Sequence, residues 1–561
     1  MMKLVNRLVI LALSLVIATS IGLADRDKMD RHLQEKVAQS DPHEMVPVIV
    51  QTGSTVDDRH IQEIVAAGGK VKQRFSAING LVIEVPVSAL DKLARNPKMA
   101  RLSHDSEVRV HNSIIRPAIG SDTVPATYRV DGAGIGVAVL DTGIASWIYD
   151  IGRLPNGSQR SLTWVDFINS KSSPYDDNGH GTHVAGIIGG SGYNSQLSLN
   201  NLSGVAPYVN LIGVKVLDKN GTGTVSTVIN GIQWCIQNKA KFNIQVINLS
   251  MGHPVAESYT TDPLAQACEA AVKAGIVVVV AAGNYGKNAQ GSVVYGGITS
   301  PGHDPMVITV GAVNTHGTVA RSDDTVAGYS SRGPTYLDQL AKPDVVAPGN
   351  KVISVSSPDS TLYNTYTANQ VSGYGFSDSS NWYFTLSGTS MAAPVVSGTA
   401  ALVLQKNPSL TPNAVKAIIM YTAQNLSLDW MTQGAGYLNA YGAVNLAANI
   451  SQSATSVGAN WIINNGPGLQ TTNLLSGENV VWGTNVVWGT NVVWGTSIYY
   501  NQPAWALNVV WGTNVVWGTN VVWGTNVIWG TNVVWGTNVI WGTATWTQNA
   551  LPSYETLIIG E

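Results

Sequence analysis

Four polar residues occur in the chain order Asp, His, Asn, Ser, each beside small or apolar residues. Asp141 directly follows Gly136–Leu140, Asn284 ends a second apolar run, Ser390 precedes a third, and His180 lies among glycines. A serine hydroxyl becomes a nucleophile when a neighbouring imidazole takes its proton, and a carboxylate holds that imidazole in the required tautomer. An amide N–H can stabilise an oxyanion. These residue types together suit covalent acyl transfer.

Each of these residues has a plainer interpretation when it is taken alone. Asp141 is suited to capping a loop, and a serine at a helix start is usually only a cap. His180 and His183 are separated by Gly-Thr without a Glu, so the zinc-protease motif is absent. We therefore expect His183 to make structural hydrogen bonds. The combination of the four residues, rather than any one of them, indicates chemistry.

The surrounding elements predict an α/β fold with a doubly wound, mainly parallel sheet. Short β-branched runs without two-residue alternation indicate strands that are buried on both faces. These runs are Gly136–Leu140, Leu211–Val216, Val246–Ser250 and Ile276–Ala281, and the helix-like stretches between them include Val225–Asn238 and Pro263–Ala274. In such sheets, active sites lie beyond the carboxyl ends of the strands, where Asp141 and Asn284 fall.

The stretch after Ser390 is predicted to be a helix buried on all sides, because Val395–Leu404 is small and apolar. Pro394 fits only the first turn of a helix. This places Ser390 at the helix N-terminus, where backbone N–H groups and the helix dipole stabilise negative charge.

The motifs around the four residues closely resemble those of the subtilisin-like serine proteases (subtilases) of the secreted bacterial type. The matching segments are Asp141-Thr-Gly, His180-Gly-Thr-His-Val-Ala-Gly, Ala281-Ala-Gly-Asn284 and Gly388-Thr-Ser390-Met-Ala-Ala-Pro, within a resemblance that runs from about Ile135 to Val444. The resemblance implies a serine endopeptidase in which Asp141 orients His180, His180 acts as general base and acid, and Ser390 attacks. Asn284 and the Ser390 N–H would stabilise the oxyanion of the acyl-enzyme pathway.

Two further segments resemble the substrate-binding edges of that family. They are Gly221-Thr222-Gly223 and Ser250-Met251-Gly252. Exposed backbone at such edges pairs with an extended peptide on both sides, through main-chain groups that every polypeptide has. The expected partners are therefore polypeptide substrates, and the expected specificity is broad.

Calcium enters only through the resemblance, because members of this family often bind it as a structural ion. Asp166, Asp176 and Asp177 lie close together in sequence, but Gly190–Ser203 contains no clear counterpart of the family's main calcium loop. No metal ligand is assigned, and no cofactor is expected for catalysis.

The segment Val46–Ser103 has the strand–helix–strand–strand–helix–strand order of a ferredoxin-like α+β domain. The predicted elements are Val46–Gln51, Asp57–Ala67, Lys70–Phe75, Leu81–Val85, Ser88–Arg95 and Met99–Ser103, with an Asn79-Gly80 hairpin turn and Ser88 as a helix cap. The resemblance implies that residues 25–112 are a propeptide that assists folding and inhibits the enzyme. Its trailing segment, Glu107–Ile119, would lie along the cleft and be cut autocatalytically. The alternative is a permanent accessory domain.

The N-terminus has the features of a secretory signal peptide. Lys3 and Arg7 precede the apolar run Leu8–Ile17, and Gly22-Leu23-Ala24 offers small residues for cleavage. We expect residues 1–24 to be removed and the product to be secreted, outside the cell or in its envelope; the alternative is an uncleaved anchor. After cleavage no membrane span is expected.

A tryptophan-rich repeat forms the C-terminal region. After a catalytic domain over residues 113–450 and a linker over 451–478, the hexad Asn-Val-Val-Trp-Gly-Thr recurs over 479–546, and a tail covers 547–561. An even period places every Trp on one face of an extended strand, whereas Gly-Thr-Asn turns would coil it as a β-solenoid. The region is either an adhesive surface, a stacked structural appendage, or a tail removed on maturation.

Composition excludes several other classes of protein. The 561 residues carry a formal charge of −3, so no strong field favours nucleic acid. Two cysteines, Cys235 and Cys268, cannot build a disulfide-rich scaffold; they either pair or are buried apolar side chains. Nucleotide binding by the glycines at 132, 134 and 136 fails because they precede a strand. The competing class is a catalytically silent adhesin or scaffold that uses the repeat.

Overall fold

The structure is a computed structural model. It describes residues 28–30, 33–34, 36–37, 41–75, 78–105, 114–195, 201–371, 383–450, 472–475 and 478–481, and short strands within 492–529. The predicted signal peptide, most of the Glu107–Ile119 segment, and most of the linker, repeat and tail lie outside these residues. The chain divides into two compact units, Met1–Val110 and His111–Glu561.

The first unit contains a four-stranded antiparallel sheet with two helices. In chain order its elements are β1 (Met45–Thr52), α1 (Asp58–Ala66), β2 (Lys70–Phe75), β3 (Gly80–Pro86), α2 (Val87–Ala94) and β4 (Met99–His104). The strand order β2-β3-β1-β4 and the antiparallel pairs are those of the ferredoxin-like arrangement that the sequence predicts.

One local prediction in this unit is wrong. Helix α2 starts one residue before Ser88, its N-cap position is Pro86, and no side chain caps it. The Val87 N–H instead donates to the Glu44 carbonyl oxygen and the Ser88 N–H to that of Pro42. The preceding loop therefore satisfies the helix N–H groups that a serine cap would have satisfied.

The second unit is built on an eight-stranded sheet. In chain order its strands are β5 (Gly136–Asp141), β6 (Thr163–Asp166), β7 (Asn210–Lys215), β8 (Ile244–Leu249), β9 (Val277–Ala281), β10 (Ile308–Asn314), β11 (Thr325–Val326) and β12 (Val345–Pro348). The order is β11-β10-β9-β8-β5-β7-β6, with β12 also paired to β10, and every pair except β10–β11 is parallel.

The other elements of this unit surround the sheet. The helices are α3 (Ile115–Ile119), α4 (Val124–Tyr128), α5 (Tyr149–Gly152), α6 (His180–Gly189), α7 (Val225–Phe242), α8 (Pro263–Lys273), α9 (Thr361–Thr365), α10 (Thr389–Lys406), α11 (Pro412–Thr422), α12 (Trp430–Gln433) and α13 (Ala440–Ala448). A small antiparallel sheet contains β13 (Val352–Val355), β14 (Gln370–Val371) and β15 (Tyr383–Leu386).

Both faces of the central sheet are buried, as the continuous apolar runs predict. Val137 and Val139 of β5 belong to one apolar cluster together with residues of α6 and α10. Ala138 and Leu140 point the other way and belong to a second cluster with residues of α7 and α8. This alternation, with helices on each side, makes the unit a doubly wound α/β fold.

The two cysteines lie in the second of these clusters. Cys235 on α7 and Cys268 on α8 are free and fully buried. They therefore serve as small apolar side chains, the second of the two alternatives for them.

The described residues beyond 450 begin with a hairpin in the second unit. It pairs β16 (Thr472–Leu475) with β17 (Glu478–Val481), the start of the repeat. The Glu478 carboxylate accepts from the Arg321 N–H at 2.9 Å and the Ser322 hydroxyl at 2.6 Å. Leu475 is buried. This hairpin attaches the beginning of the repeat to the catalytic unit.

The repeat contains further short strands. They are β18 (Val492–Trp494), β19 (Ser497–Tyr499), β20 (Val510–Trp511), β21 (Val515–Trp517) and β22 (Ile528–Trp529), which form a two-stranded and a three-stranded sheet. Across the described residues, every helix is too short or too polar to cross a membrane.

Candidate active site

The sheet register brings the ends of β5 and β8 side by side. These strands are parallel neighbours, and Leu140 is opposite Leu249. Asp141, the last residue of β5, and Ser250, which follows β8, therefore lie next to each other. Adjacent strands are ~4.8 Å apart. The carboxyl edge of the sheet is thus where the candidate residues meet.

His180 contacts Asp141 from the first position of helix α6. Its Nδ1 lies 2.8 Å from Asp141 Oδ1. Because a carboxylate only accepts, Nδ1 carries the proton and Nε2 of the neutral imidazole is left as the acceptor. Asp141 is fully buried and also accepts the Thr142 N–H at 2.7 Å, whereas the imidazole is 14% exposed. The carboxylate is fixed, and one ring nitrogen remains available.

A glycine allows helix α6 to approach this strand end. A Cβ at Gly181 would lie 2.2 Å from the Gly143 carbonyl oxygen, in the turn that follows Asp141. Any side chain at Gly181 would therefore separate the start of α6 from β5, and the His180–Asp141 contact would be lost.

Opposing effects set the pKa of His180. Burial, the largest effect, lowers it because the charged imidazolium loses solvation. The charge of Asp141, the hydrogen bond to Asp141 and the charge of Asp176 together outweigh burial, so the pKa is raised above its ordinary value. His180 is therefore a stronger base than a free imidazole.

Ser390 is the second residue of helix α10 and is 7% exposed. Its position at the helix start agrees with the sequence prediction. Its Oγ donates to the Ser250 carbonyl oxygen at 3.0 Å, and its own carbonyl accepts from Ser250 Oγ at 2.8 Å. In the described part of the chain, the hydroxyl thus bonds to β8's end rather than to His180.

The expected position of Pro394 in this helix is wrong. Helix α10 begins at Thr389, so Pro394 lies inside it rather than in its first turn. Pro394 has no N–H for the carbonyl of Ser390, four residues earlier. The Ser250 hydroxyl fills that role at 2.8 Å. Pro394 therefore leaves no carbonyl unsatisfied. Because the Ser390 carbonyl has no N–H partner within the helix, it bonds to Ser250 and joins the helix start to the sheet.

Asn284 follows β9 and is held by the helix start. Its Oδ1 accepts from the Thr389 N–H and from Thr389 Oγ1, both at 3.0 Å. Thr389 Oγ1 also accepts from the Gly283 N–H at 3.1 Å. With the amide oxygen fixed in this way, the Nδ2 group is the part of Asn284 that is left to donate. The Ser390 N–H belongs to the same first helical turn, whose N–H groups lack intrahelical acceptors.

The two expected substrate-binding edges lie in loops at the same side of the sheet. Gly221-Thr222-Gly223 lies between β7 and α7, with Gly223 exposed, and the Thr222 N–H donates to Asp218 at 3.0 Å. Ser250-Met251-Gly252 follows β8 and runs from buried Ser250 to exposed Gly252. Both segments leave backbone at the surface.

His183 is structural, as expected. It is buried, and its Nε2 lies 2.9 Å from the Phe384 carbonyl oxygen and 3.1 Å from that of Val352. Burial lowers its pKa to about 3. It therefore joins α6 to the small sheet as a neutral side chain.

The three neighbouring aspartates do not fit a calcium site. Asp166 accepts three backbone N–H groups and the Tyr175 hydroxyl, and Asp177 pairs with Lys215 at 2.7 Å. Asp176 accepts five hydrogen bonds from protein donors. Among the described residues no group of three or more His, Cys, Asp or Glu side chains converges on a metal-sized space.

The sequence did not indicate two groups that hold the site together. Ser250 was expected only at the substrate edge, yet its side chain and carbonyl both bond to Ser390. Thr389 was only a motif residue, yet it fixes Asn284. The family motif Gly388-Thr-Ser390 was a signal for the role of Thr389. The sequence held no such signal for Ser250, because its role depends on which strand end faces the helix.

The comparisons with known proteins agree with this geometry. Residues 132–444 match the subtilase family, a stretch that includes Asp141, His180, Asn284 and Ser390. The chain therefore belongs to the subtilase family and is a subtilisin-like serine endopeptidase that acts on polypeptides. This result sets aside the catalytically silent scaffold.

Several curated proteins are similar over most of their length. Serine protease AprX of Bacillus subtilis (strain 168) is 39% identical over 388 residues, which cover 67% of this chain and 81% of that protein. Subtilisin E of the same strain is 32% identical over 400 residues, or 70% and 88%. An extracellular serine proteinase of Thermus sp. (strain Rt41A) is 35% identical over 368 residues, or 64% and 74%.

Proposed function

We propose that Asp141, His180 and Ser390 form the catalytic triad of a broad-specificity endopeptidase. The main observation that supports this triad is that His180 bonds to Asp141 and Ser390 bonds to Ser250, at the ends of two adjacent strands. In the proposed reactive state, Ser390 Oγ donates to His180 Nε2 instead of to the Ser250 carbonyl. Catalytic hydrogen bonds are commonly formed only when substrate is bound.

The proposed reaction has two halves. Ser390 Oγ attacks the scissile carbonyl carbon while His180 Nε2 takes its proton, and Asp141 offsets the imidazolium charge. His180 then gives the proton to the leaving amine, the C–N bond breaks, and an acyl-enzyme remains. Water, deprotonated by His180, attacks the ester, and collapse returns the proton to Ser390 and releases the acid.

The oxyanion of each tetrahedral intermediate would lie between Asn284 Nδ2 and the Ser390 N–H. Replacing Asn284 with alanine should lower kcat by ~10²–10³-fold, the range known for a subtilisin oxyanion donor, and should change KM little. The reason is that this bond strengthens only as charge develops on the oxygen. Steady-state kinetics on a chromogenic peptide check this. A fall confined to KM would contradict the oxyanion role.

The pH dependence should report the neutral form of His180. Only the neutral ring accepts the serine proton, so kcat/KM should fall as pH drops through the pKa of this imidazole. Because that pKa is raised, the acid limb should have a midpoint above ~6.5, the ordinary value of histidine. Measuring kcat/KM from pH 4 to 9 tests this proposal. A flat profile would exclude an imidazole base.

Substrate would bind as an extended strand between the two exposed edges. Gly221-Thr222-Gly223 would pair with one side of the peptide and Ser250-Met251-Gly252 with the other, through main-chain groups. Pairing of this kind does not read side chains and supports broad specificity.

We infer that the enzyme is made as a secreted zymogen. The ferredoxin-like unit contains a separate small core around residues such as Val48, Leu81 and Leu102. A compact first unit of this kind suits a folding assistant and inhibitor that precedes the catalytic unit. The apolar run Leu8–Ile17 supports export.

A further inference from the structure

A second buried carboxylate lies beside the Asp141–His180 pair. Asp176 is 6% exposed and stands four residues before His180, in the loop that leads into helix α6. It accepts five hydrogen bonds, all from protein donors. Asp176 takes part in no step of the proposed reaction. Its hydrogen-bond donors occupy both carboxylate oxygens and leave no lone pair for a metal ion.

Asp176 brackets His180 from both sides along the chain. Its Oδ1 accepts the N–H of Gly179 at 2.8 Å and of Asn178 at 3.2 Å, before the histidine. Its Oδ2 accepts the Thr182 N–H at 2.8 Å and the Thr182 hydroxyl at 2.7 Å, after the histidine. The backbone that presents the imidazole is therefore held on either side by one carboxylate.

The same carboxylate holds the turn that follows Asp141. Thr142 Oγ1 donates to Asp176 Oδ1 at 2.9 Å and accepts the Gly181 N–H at 2.9 Å. The Thr142 side chain is therefore a bridge between the strand end that carries Asp141 and the helix start that carries His180. Asp176 is therefore an acceptor that the loop, the helix and this turn share.

We propose that Asp176 is a positioning residue of the active site, whose carboxylate fixes the loop of His180 and the turn after Asp141 in one hydrogen-bonded frame. The proposal rests on the proposed catalytic roles of Asp141 and His180. A misplacement of ~1 Å at a catalytic group can cost ~10²-fold in rate. Loosening this frame should therefore lower kcat without removing any reacting atom.

The charge of Asp176 allows a second test of the proposal, through the pKa of His180. The titratable groups around His180 are Asp141 on β5, Asp176 in the preceding loop and His183 on the same helix, while Asp177 is paired with Lys215. Asp176 is one of the charges that raise the pKa of His180. Removing the charge should therefore move the acid limb of kcat/KM to lower pH.

The test compares Asp176→Asn with Asp166→Asn in the full chain. Asp166 also accepts several local donors, and its bond nearest in sequence to His180 comes from the Tyr175 hydroxyl, five residues before the histidine. Concentrations are set by active-site titration with a fluorophosphonate, so misfolded protein does not count. We expect Asp176→Asn to lower kcat by ~10–10²-fold with KM within ~2-fold and to shift the acid limb downward, and Asp166→Asn to do neither.

A second pair keeps the proposal testable if Asp176→Asn is not secreted. Thr142→Val removes the bridging hydroxyl and Thr142→Ser retains it, and both leave the Asp176 charge. We expect Thr142→Val alone to lower kcat, with an unmoved acid limb. Normal kcat in Asp176→Asn or Thr142→Val would overturn the proposal. A Ser390→Ala sample in the same assay separates this failure from failure of the proposed triad, because only the latter leaves Ser390→Ala active.

Discussion

Replacing Ser390 with alanine should lower kcat on peptide and casein substrates by ~10⁶-fold, the loss known for the nucleophile of a subtilisin. Without the hydroxyl no acyl-enzyme forms, and His180 has no proton to remove. The remaining rate would come from the oxyanion donors and substrate binding, which still act on water attack. Steady-state kinetics with a sensitive fluorogenic peptide measure both proteins.

A hydroxyl elsewhere on the same helix supplies the control. Thr399 is fully buried on α10, and its Oγ1 donates to the Val395 carbonyl of that helix at 3.0 Å. Thr399→Val should therefore keep kcat within a few-fold while removing a hydroxyl from the same element. Unchanged hydrolysis by purified Ser390→Ala would contradict the assignment of the nucleophile.

The same variant tests self-processing. Purified wild-type protein should give an N-terminus within Glu107–Ile119, whereas Ser390→Ala incubated alone should retain the preceding unit. A trace of active enzyme added to the variant should then trim it. N-terminal sequencing and intact mass distinguish these species. Cleavage of the variant alone at the same bond would contradict autocatalysis.

Replacing Asp141 with asparagine should lower kcat by ~10⁴-fold, the loss known for the corresponding change in another serine protease. Asp141 Oδ1 accepts the proton of His180 Nδ1 at 2.8 Å. An amide NH₂ at that place donates instead, so the ring proton moves to Nε2. The nitrogen that must accept the serine proton is then already protonated, and the geometry is otherwise unchanged.

The kinetics of this variant have a matched control. Asp166→Asn makes the same chemical change at a carboxylate that accepts local backbone N–H groups, and it should keep kcat within a few-fold. Loss of substrate binding would raise KM, whereas loss of the base lowers kcat. Less than a tenfold fall in kcat for Asp141→Asn would contradict the orienting role.

The sequence predicted much of the frame that carries the site. Continuous apolar runs predicted strands buried on both faces, and β5 and β9 fall within one residue of the expected bounds at each end. A strand buried on both faces needs apolar side chains at successive positions, so a continuous apolar run in the sequence indicates it directly. The site residues follow these strands, which is why Asp141 and Asn284 were predictable.

Other features could not be predicted, because they depend on contacts between distant segments. Pro394 was expected in a first turn, since an interior proline normally leaves a carbonyl unsatisfied. That rule fails here because Ser250, far away in sequence, donates to the Ser390 carbonyl. Asp176 likewise had no role assigned from the sequence, because the sequence does not reveal that five protein donors surround it.

The central claim is that Ser390 is the side chain that His180 activates. The most direct test is to label the active protein with a fluorophosphonate and locate the adduct by tandem mass spectrometry of the tryptic peptide Val352–Lys406. We predict one adduct per molecule, on Ser390, at a rate that parallels loss of activity and falls strongly in Asp141→Asn. Complete inactivation with the adduct on any other residue would contradict the account.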